Sequence, residues 1–239
     1  MVTLDGLVPK DHLLRKIDAV IDFSFIHPLV EGLYCPDNGR PALDPALMFK
    51  ALFVGYLFGI RSERQLVREI EVNVAYRWFL RLKLCDQVFD ASTLSQNRRR
   101  RFNDTDVAQA IFDRIVEQAI AKGLVDGTVL YTDSTHLKAS ANKGIYDLAM
   151  IEKSRVDYWA DHRERADALR RTAKGKAIYR RRKETVERSF ADAKRLHGRR
   201  YARFRSLRKV RVQCLLAAAA QNIKKIALAL TRTPLPASG

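Results

Sequence analysis

Only one convincing β-strand is present in a sequence whose other apolar patterns are helical. Residues 128–132 (Thr-Val-Leu-Tyr-Thr) are β-branched and aromatic, and the turn-forming pair Asp126-Gly127 precedes them. Between residues 138 and 186 the few Val and Ile residues are scattered without alternation, so no second strand is predicted there. A lone strand cannot satisfy its own backbone hydrogen-bonding groups. We therefore predict a mainly α protein with very little sheet.

Helical patterns fill the first half of the chain. Apolar residues recur at helical spacing over residues 13–21, and Asp44-Pro45 is a typical helix start, with an N-cap followed by proline at the first helical position. Ser62 begins a capping box that opens a further helix. An apolar stripe over residues 107–119 indicates another. These patterns predict a helical N-terminal domain over residues 1–123.

The second half is predicted to contain the strand and then basic helices. We assign residues 124–160 to one region with the strand and residues 161–239 to a basic helical end. Within them, a charged helix is predicted around residues 152–171, a very basic one at about residues 177–196, and an Ala-rich one at about residues 207–230.

The positive charge of the chain is concentrated in one segment. Between Arg163 and Arg211 there are 20 Lys and Arg against 5 Asp and Glu, a net charge of +15 out of +17 for the whole chain. Such an excess predicts a polyanionic partner. No apolar stretch reaches the roughly 20 residues that cross a bilayer, and residues 1–10 lack the order of a signal peptide. We expect a cytoplasmic protein that binds nucleic acid and not membrane.

Two further groups of residues are candidates for function. Arg98 and Arg99 begin a run of four arginines that we interpret as DNA phosphate contacts, the alternative being a solvated surface. Glu187 and Lys194 are seven residues apart and therefore share one helix face, with Lys183 one turn earlier. On pattern alone, that second group is typical of a solvated ladder of ion pairs.

Read together, these residues closely resemble the insertion-sequence transposases that use a DDE catalytic triad. The blocks that carry the resemblance are Gly39-Arg40-Pro41, Asp44-Pro45, Tyr76-Arg77-Trp78-Phe79, Ser92-Thr93-Leu94, Thr132-Asp133-Ser134-Thr135-His136-Leu137-Lys138-Ala139, Val186-Glu187-Arg188-Ser189-Phe190 with Lys194, His197-Gly198, and Arg203-Phe204-Arg205. Their order along the chain is the order found in the family. The resemblance implies DNA transposition, a form of DNA recombination, by an RNase H-like catalytic domain.

The resemblance also implies roles for individual residues. Asp133 corresponds to the first catalytic acid and Glu187 to the last, and both would be ligands of Mg²⁺ in a two-metal site. Two divalent ions about 3.5 to 4 Å apart activate the attacking oxygen and stabilise the leaving one, and Mg²⁺ requires oxygen ligands. Basic residues around the acids would hold the DNA backbone. We assign this DNA-binding role to Lys183, Arg188, Lys194, Arg203 and Arg205, together with Arg98 and Arg99.

The sequence departs from the family pattern between the two matched acids. Only 53 residues separate Asp133 from Glu187, and they carry no strand signal. The family places further strands and the second Asp in this interval, and those elements with their connections would overfill it. Asp147, Asp157, Asp161 and Asp167 are available, but nothing in the pattern places any of them beside Asp133. We infer a truncated RNase H-like domain that lacks the centre of its sheet and the second Asp.

Three functions remain open at this point. The first is a transposase that cuts and joins DNA through Asp133, Glu187 and an unidentified third ligand. The second is a non-catalytic DNA-binding remnant or a repressor of a full-length transposase, and the missing Asp favours DNA binding without cleavage. The third, an RNA-binding basic protein, fits the charge but not the motif blocks. The expected partners are double-stranded DNA at element ends and a second copy of the chain in a homo-oligomer.

Overall fold

The computed structural model describes residues 3–34, 43–102, 105–125, 137, 167–168, 171–182 and 186–231. These residues form a mainly α protein built from helices and their connections. The helices are α1 (Leu4–Leu7), α2 (Leu13–Val20), α3 (Ile26–Val30), α4 (Pro45–Leu57), α5 (Glu63–Val72), α6 (Val74–Phe79), α7 (Ala91–Asn97), α8 (Val107–Ala121), α9 (Ala173–Arg182), α10 (Arg188–Arg195) and α11 (Leu207–Leu230). A short 3₁₀ turn, Glu31–Leu33, follows α3, and a π-helical turn, Arg98–Phe102, follows α7.

The starts of several helices follow directly from their capping residues. The Asp44 carboxylate accepts a hydrogen bond from the Ala46 amide at 2.7 Å, and the Ser62 hydroxyl accepts one from the Gln65 amide at 3.1 Å. Asn73 and Asp90 cap α6 and α7 in the same way. Such caps satisfy amides that lack a partner in the first turn of a helix.

Helix α4 lies at the centre of the hydrophobic core. Every residue from Ala51 to Leu57 is buried, so this helix has no polar face. Phe49 and Phe53 are among the largest fully buried side chains. A helix that is apolar all round must be covered on all sides by other elements.

Helix α11 provides much of that cover, although it lies at the other end of the chain. It packs against α8, α2 and α4. Its buried residues, Leu216, Ala217, Ala220 and Ile223 among them, join the same core as the N-terminal helices. The small alanine side chains allow helices to approach closely. The first and last parts of the chain are therefore packed together, and this brings the basic C-terminal segment onto the N-terminal helices.

Lys50 of α4 is a largely covered cation that is paired with a carboxylate. The Lys50 ammonium bonds to Asp18 at 3.3 Å and lies 4.8 and 5.0 Å from the ring centres of Phe79 and Phe23. Burial lowers the pKa of Lys50, and Asp18 opposes that change. Arg81 reaches the same carboxylate at 2.6 Å. Ion pairing of this kind compensates a buried charge.

The structure confirms most of the predicted helices. Helix α11 runs over the residues predicted for the Ala-rich helix, and α4 and α5 begin at the predicted caps. Helix α8 covers the predicted apolar stripe. Helices α9 and α10 lie within or overlap the very basic stretch, and residues 183–185 between them lie outside the described residues. Outside the described residues lie the predicted strand at residues 128–132 and most of the predicted helix at residues 152–171. The predicted domain boundaries after residues 123 and 160 stay predictions. Within the described ranges, no helix is long and apolar enough to cross a membrane.

Candidate nucleic-acid interface

Helix α10, which directly follows Glu187, is fastened to helix α11 at its first turn. The side-chain amide of Gln221 donates to the carbonyl oxygen of Ser189 at 2.8 Å and to its hydroxyl at 3.1 Å. The Lys225 ammonium donates to the same hydroxyl at 3.1 Å. Ala193 is buried one turn later. This contact fixes the position of the segment that carries Glu187 relative to the core.

The end of α10 is held by a buried histidine. The Nδ1 atom of His197 lies 3.0 Å from the carbonyl oxygen of Tyr56 in α4, and the His197 side chain is almost fully buried. Burial lowers the pKa of His197, and the Tyr56 carbonyl opposes that change. The neutral imidazole is therefore the favoured form, and it donates from Nδ1 to the carbonyl. His197 thus connects the basic segment to the central helix.

The loop after His197 is organised by one residue of α11. Gln213 is fully buried, and its side-chain amide donates to the carbonyl oxygens of Gly198 and Tyr201 at 3.2 and 3.0 Å. Its side-chain oxygen accepts a hydrogen bond from the Arg203 amide at 2.9 Å. Three backbone groups of an irregular loop are satisfied in this way, which gives the loop a defined shape.

Arg203 projects from this loop over the central helix. Its guanidinium lies 5.3 Å from the centre of the Tyr56 ring, and its Nη2 atom is buried without a hydrogen-bond partner among the described residues. Burial lowers the pKa of Arg203, the buried Tyr56 opposes this effect, and the nearby positive charge of Arg61 adds to it. Gly198 has a φ of 69°, and a Cβ atom there would collide with the Arg203 guanidinium. Glycine at this position therefore leaves room for the arginine.

These elements surround a cavity of about 740 Å³ that we call the basic cleft. The described residues that line it are five basic residues and four others: Arg61, Lys194, Arg195, Arg200, Arg203, Gly59, Ala191, Gly198 and Tyr201. Gly59 and Arg61 follow α4, whereas the remaining residues come from α10 and the loop after it. No carboxylate is found among the described residues that line the cleft. Its walls therefore favour an anion.

A smaller cavity of about 180 Å³ adjoins the basic cleft through Arg61 and Arg203. Arg98 lines it, forms an ion pair with Glu63, and lies 4.3 Å above the Phe204 ring. The Arg98 guanidinium is therefore held inside the protein by a carboxylate and a ring. Contact between Arg98 and a DNA phosphate stays a prediction.

The structure brings some of the predicted residues together. Lys194 and Arg203 both line the basic cleft. Arg188 and Arg205 are exposed on the same C-terminal segment, and Arg99 is exposed in the π-helical turn after α7. Asp133 and Lys183 lie outside the described residues.

Glu187 is exposed immediately before helix α10 and does not line the basic cleft. The described parts of the chain contain no group of three His, Cys, Asp or Glu side chains that could hold a metal ion. Of the two acids predicted to bind Mg²⁺, only Glu187 belongs to those parts. The described residues by themselves do not make a two-metal site, which needs several convergent carboxylates.

Sequence reasoning missed Arg61 and Arg200 as members of this surface. Arg61 lies far from the basic segment in the sequence and carries no motif. Only the packing of α11 and His197 against α4 places Arg61 beside Arg203. Arg200 lies within the basic segment, where its charge was counted but its position was not predicted.

Comparisons with known families cover most of the chain. The family described as a transposase domain (DUF772) matches residues 2–100, and the family described as a transposase DDE domain matches residues 147–227. The second match contains Glu187, Lys194 and the basic cleft residues of the C-terminal segment, whereas Asp133 lies between the two matches. No curated protein and no solved structure matches the chain. With a transposase domain and a transposase DDE domain matched in that order, the chain belongs to the insertion-sequence DDE transposases.

Proposed function

We propose that this transposase-family chain binds double-stranded DNA through its basic C-terminal segment without cleaving it. The observation that carries the proposal is the basic cleft, in which Arg61, Lys194 and Arg203 line one cavity without a described carboxylate. Lys and Arg side chains that neutralise phosphates supply most of the sequence-independent affinity for DNA. Exposed Arg188 and Arg205 extend the positive surface beyond the cleft.

The absence of cleavage in this proposal rests on the number of acids. By resemblance to the family, Asp133 and Glu187 would be ligands of a divalent metal ion. The match to a transposase DDE domain supports this dependence on a metal. The 53 residues between them leave no room for the remaining strands of an RNase H-like sheet with its second Asp. Two carboxylates alone would hold Mg²⁺ weakly, since that ion requires a complete oxygen shell in a strict geometry.

The DNA-binding half of the proposal is tested by titrating labelled duplex DNA into the full chain at several salt concentrations. We expect affinity to fall steeply with salt, since each phosphate contact contributes about −0.9 to the slope of log K against log salt. A duplex RNA of equal length at the same salt serves as the comparison. Tighter binding to RNA than to DNA would favour the RNA-binding alternative, and no binding to either would refute the proposal.

The cleavage half is tested separately with supercoiled DNA that carries the element ends. We expect no nicking with Mg²⁺ or Mn²⁺. Nicking that depends on the metal and disappears in Asp133→Asn and Glu187→Gln would show that the chain is an active transposase. A duplex-binding chain that does not nick would act as a DNA-binding remnant or as a repressor of a full-length transposase.

A further inference from the structure

The basic cleft differs from the other places where this fold encloses cations. Arg15 is paired with Asp5, Lys50 with Asp18, and Arg98 with Glu63. Each of these side chains is largely covered and has a carboxylate partner. The buried Arg77 guanidinium donates instead to backbone carbonyl oxygens. Pairing is the usual way to offset the cost of removing a charge from water.

The buried Nη2 atom of Arg203 has neither kind of partner among the described residues. Arg203 is partly buried and stacks on Tyr56. The charged residues that line the cleft with it, among those described, are all cations. The positive charge of Arg61 acts against the charge of Arg203 across the cavity. Like charges placed together in a partly enclosed site repel each other, and an anion bound between them offsets this repulsion because it attracts both.

We propose that the basic cleft is a binding site for one backbone phosphate of DNA, clamped between Arg61 of the N-terminal helices and Lys194 and Arg203 of the C-terminal segment. Arginine donates in a fork that matches phosphate oxygens, and lysine adds a point charge. The inference rests on the proposed DNA-binding function. It adds where one phosphate binds and how that binding affects the fold. Because the two sides of the cleft come from distant parts of the sequence, phosphate binding adds to the Gln221 and His197 contacts that hold the segment after Glu187 on the helical core.

Arg61→Gln is the most informative variant. Arg61 is exposed and lies outside the hydrophobic core, so its removal takes one charge from the cleft and leaves the packing in place. Lys122→Gln is the matched control, because Lys122 is exposed at the end of α8 and its loss changes the net charge equally. Circular dichroism of both variants checks that they fold as the parent chain does.

The first measurement is thermal unfolding of the full chain in inorganic phosphate and in chloride at equal ionic strength. A ligand that binds only the folded state raises its stability, and we expect phosphate to raise the Tm of the parent chain and of Lys122→Gln by about 2 to 4 °C. The same phosphate should leave the Tm of Arg61→Gln unchanged. Equal rises in all three proteins would overturn the proposed site, since they would reflect general screening of positive charge.

The second measurement is duplex DNA binding over a range of salt. We expect Arg61→Gln to bind about tenfold more weakly, as for the loss of one charge-assisted hydrogen bond. Its salt slope should be shallower by about 0.9, the contribution of one phosphate. Arg200 is exposed on the opposite wall of the cleft. Arg200→Gln should also weaken DNA binding and reduce the salt slope, and this second variant guards against a folding defect in the first.

The outcomes separate this inference from the proposed function. If the parent chain binds no duplex, the DNA-binding function fails, and an Arg61-dependent response to phosphate would then show an anion site with another occupant. If the parent binds duplex and both Arg61→Gln and Arg200→Gln bind it equally well with the same salt slope, the phosphate clamp is wrong and the DNA-binding function stands.

Discussion

The side-chain amide of Gln221 donates a 2.8 Å hydrogen bond to the carbonyl oxygen of Ser189, two residues after Glu187. The amide is buried, and it also reaches the Ser189 hydroxyl. Helix α10 thus begins at a point fixed by helix α11, whose other faces lie in the core with α2, α4 and α8. The position of the basic segment is consequently linked to the packing of the N-terminal helices.

Replacing Gln221 with leucine should destabilise the protein. The substitution removes both hydrogen bonds from Gln221 to Ser189, which costs about 1 to 3 kcal/mol. Urea unfolding measures the loss. Asn222→Ala on the same helix is the control, because Asn222 has no hydrogen bond among the described side chains. Equal unfolding free energies for the two variants would show that the Gln221 contact does not hold α10.

His197 should make the stability of this fold depend on pH. Burial lowers its pKa in the folded protein below the ordinary value of 6.5, so the unfolded chain binds a proton more readily. Its contribution is therefore fully present above pH 6.5 and is lost as the pH falls toward the lowered pKa. His12, whose pKa burial also lowers, acts in the same direction.

The difference between the parent chain and His197→Asn isolates the contribution of His197. Asparagine retains a donor for the Tyr56 carbonyl but does not titrate. We expect the free energy of unfolding to fall less between pH 7.5 and pH 5.5 in the variant than in the parent. Parallel pH profiles for the two proteins would contradict the predicted role of His197.

The sequence predicted the helices well because their starts are determined locally. Asp44 and Ser62 cap their helices through residues two or three positions away, so the signal is contained in a few adjacent residues. The same holds for the Ala-rich helix α11, whose composition distinguishes it from its neighbours. The mainly α class followed from these signals and from the lack of strand patterns.

The candidate site was predicted less completely because it depends on contacts between distant residues. Lys194 and Arg203 were identified from motif resemblance, but their proximity to Arg61 requires His197 to dock on Tyr56, 141 positions away. The spacing of apolar residues along the chain does not reveal a contact between residues so far apart. The role of Arg77 was also missed, although it lies in a recognised motif block, since the block gave no indication of which backbone groups surround it.

Arg77 should be essential for the connection between α6 and α7. Its buried guanidinium donates to the carbonyl oxygens of Lys83 at 2.6 Å, Leu84 at 3.1 Å and Asp86 at 2.6 Å. Lysine cannot reproduce this fork, so Arg77→Lys should cost about 3 kcal/mol, as for the loss of hydrogen bonds from a buried charged group. Arg68→Lys, an exposed change, is the control.

Urea unfolding and limited proteolysis together check the Arg77 prediction. Arg77→Lys should unfold at lower urea and be cut sooner between residues 80 and 90, whereas Arg68→Lys should match the parent chain. A variant at Arg77 that is as stable and as resistant as the parent would show that backbone contacts elsewhere hold this connection.

The two glycines Gly123 and Gly198 provide a matched test of how the basic cleft is built. Both have positive φ, 67° and 69°, but a Cβ atom at Gly123 meets nothing within 4 Å, whereas one at Gly198 collides with the Arg203 guanidinium. Gly123→Ala should therefore cost only the backbone penalty of about 1 to 2 kcal/mol. Gly198→Ala should cost about 1 kcal/mol more, because the guanidinium at the end of its flexible side chain must leave the face of Tyr56. It should also weaken binding to duplex DNA, which Gly123→Ala should not do. Urea unfolding measures the loss of stability, and DNA titration measures the loss of binding. If both variants give the same result in both measurements, Arg203 can move aside without loss. Its position in the cleft is then not required.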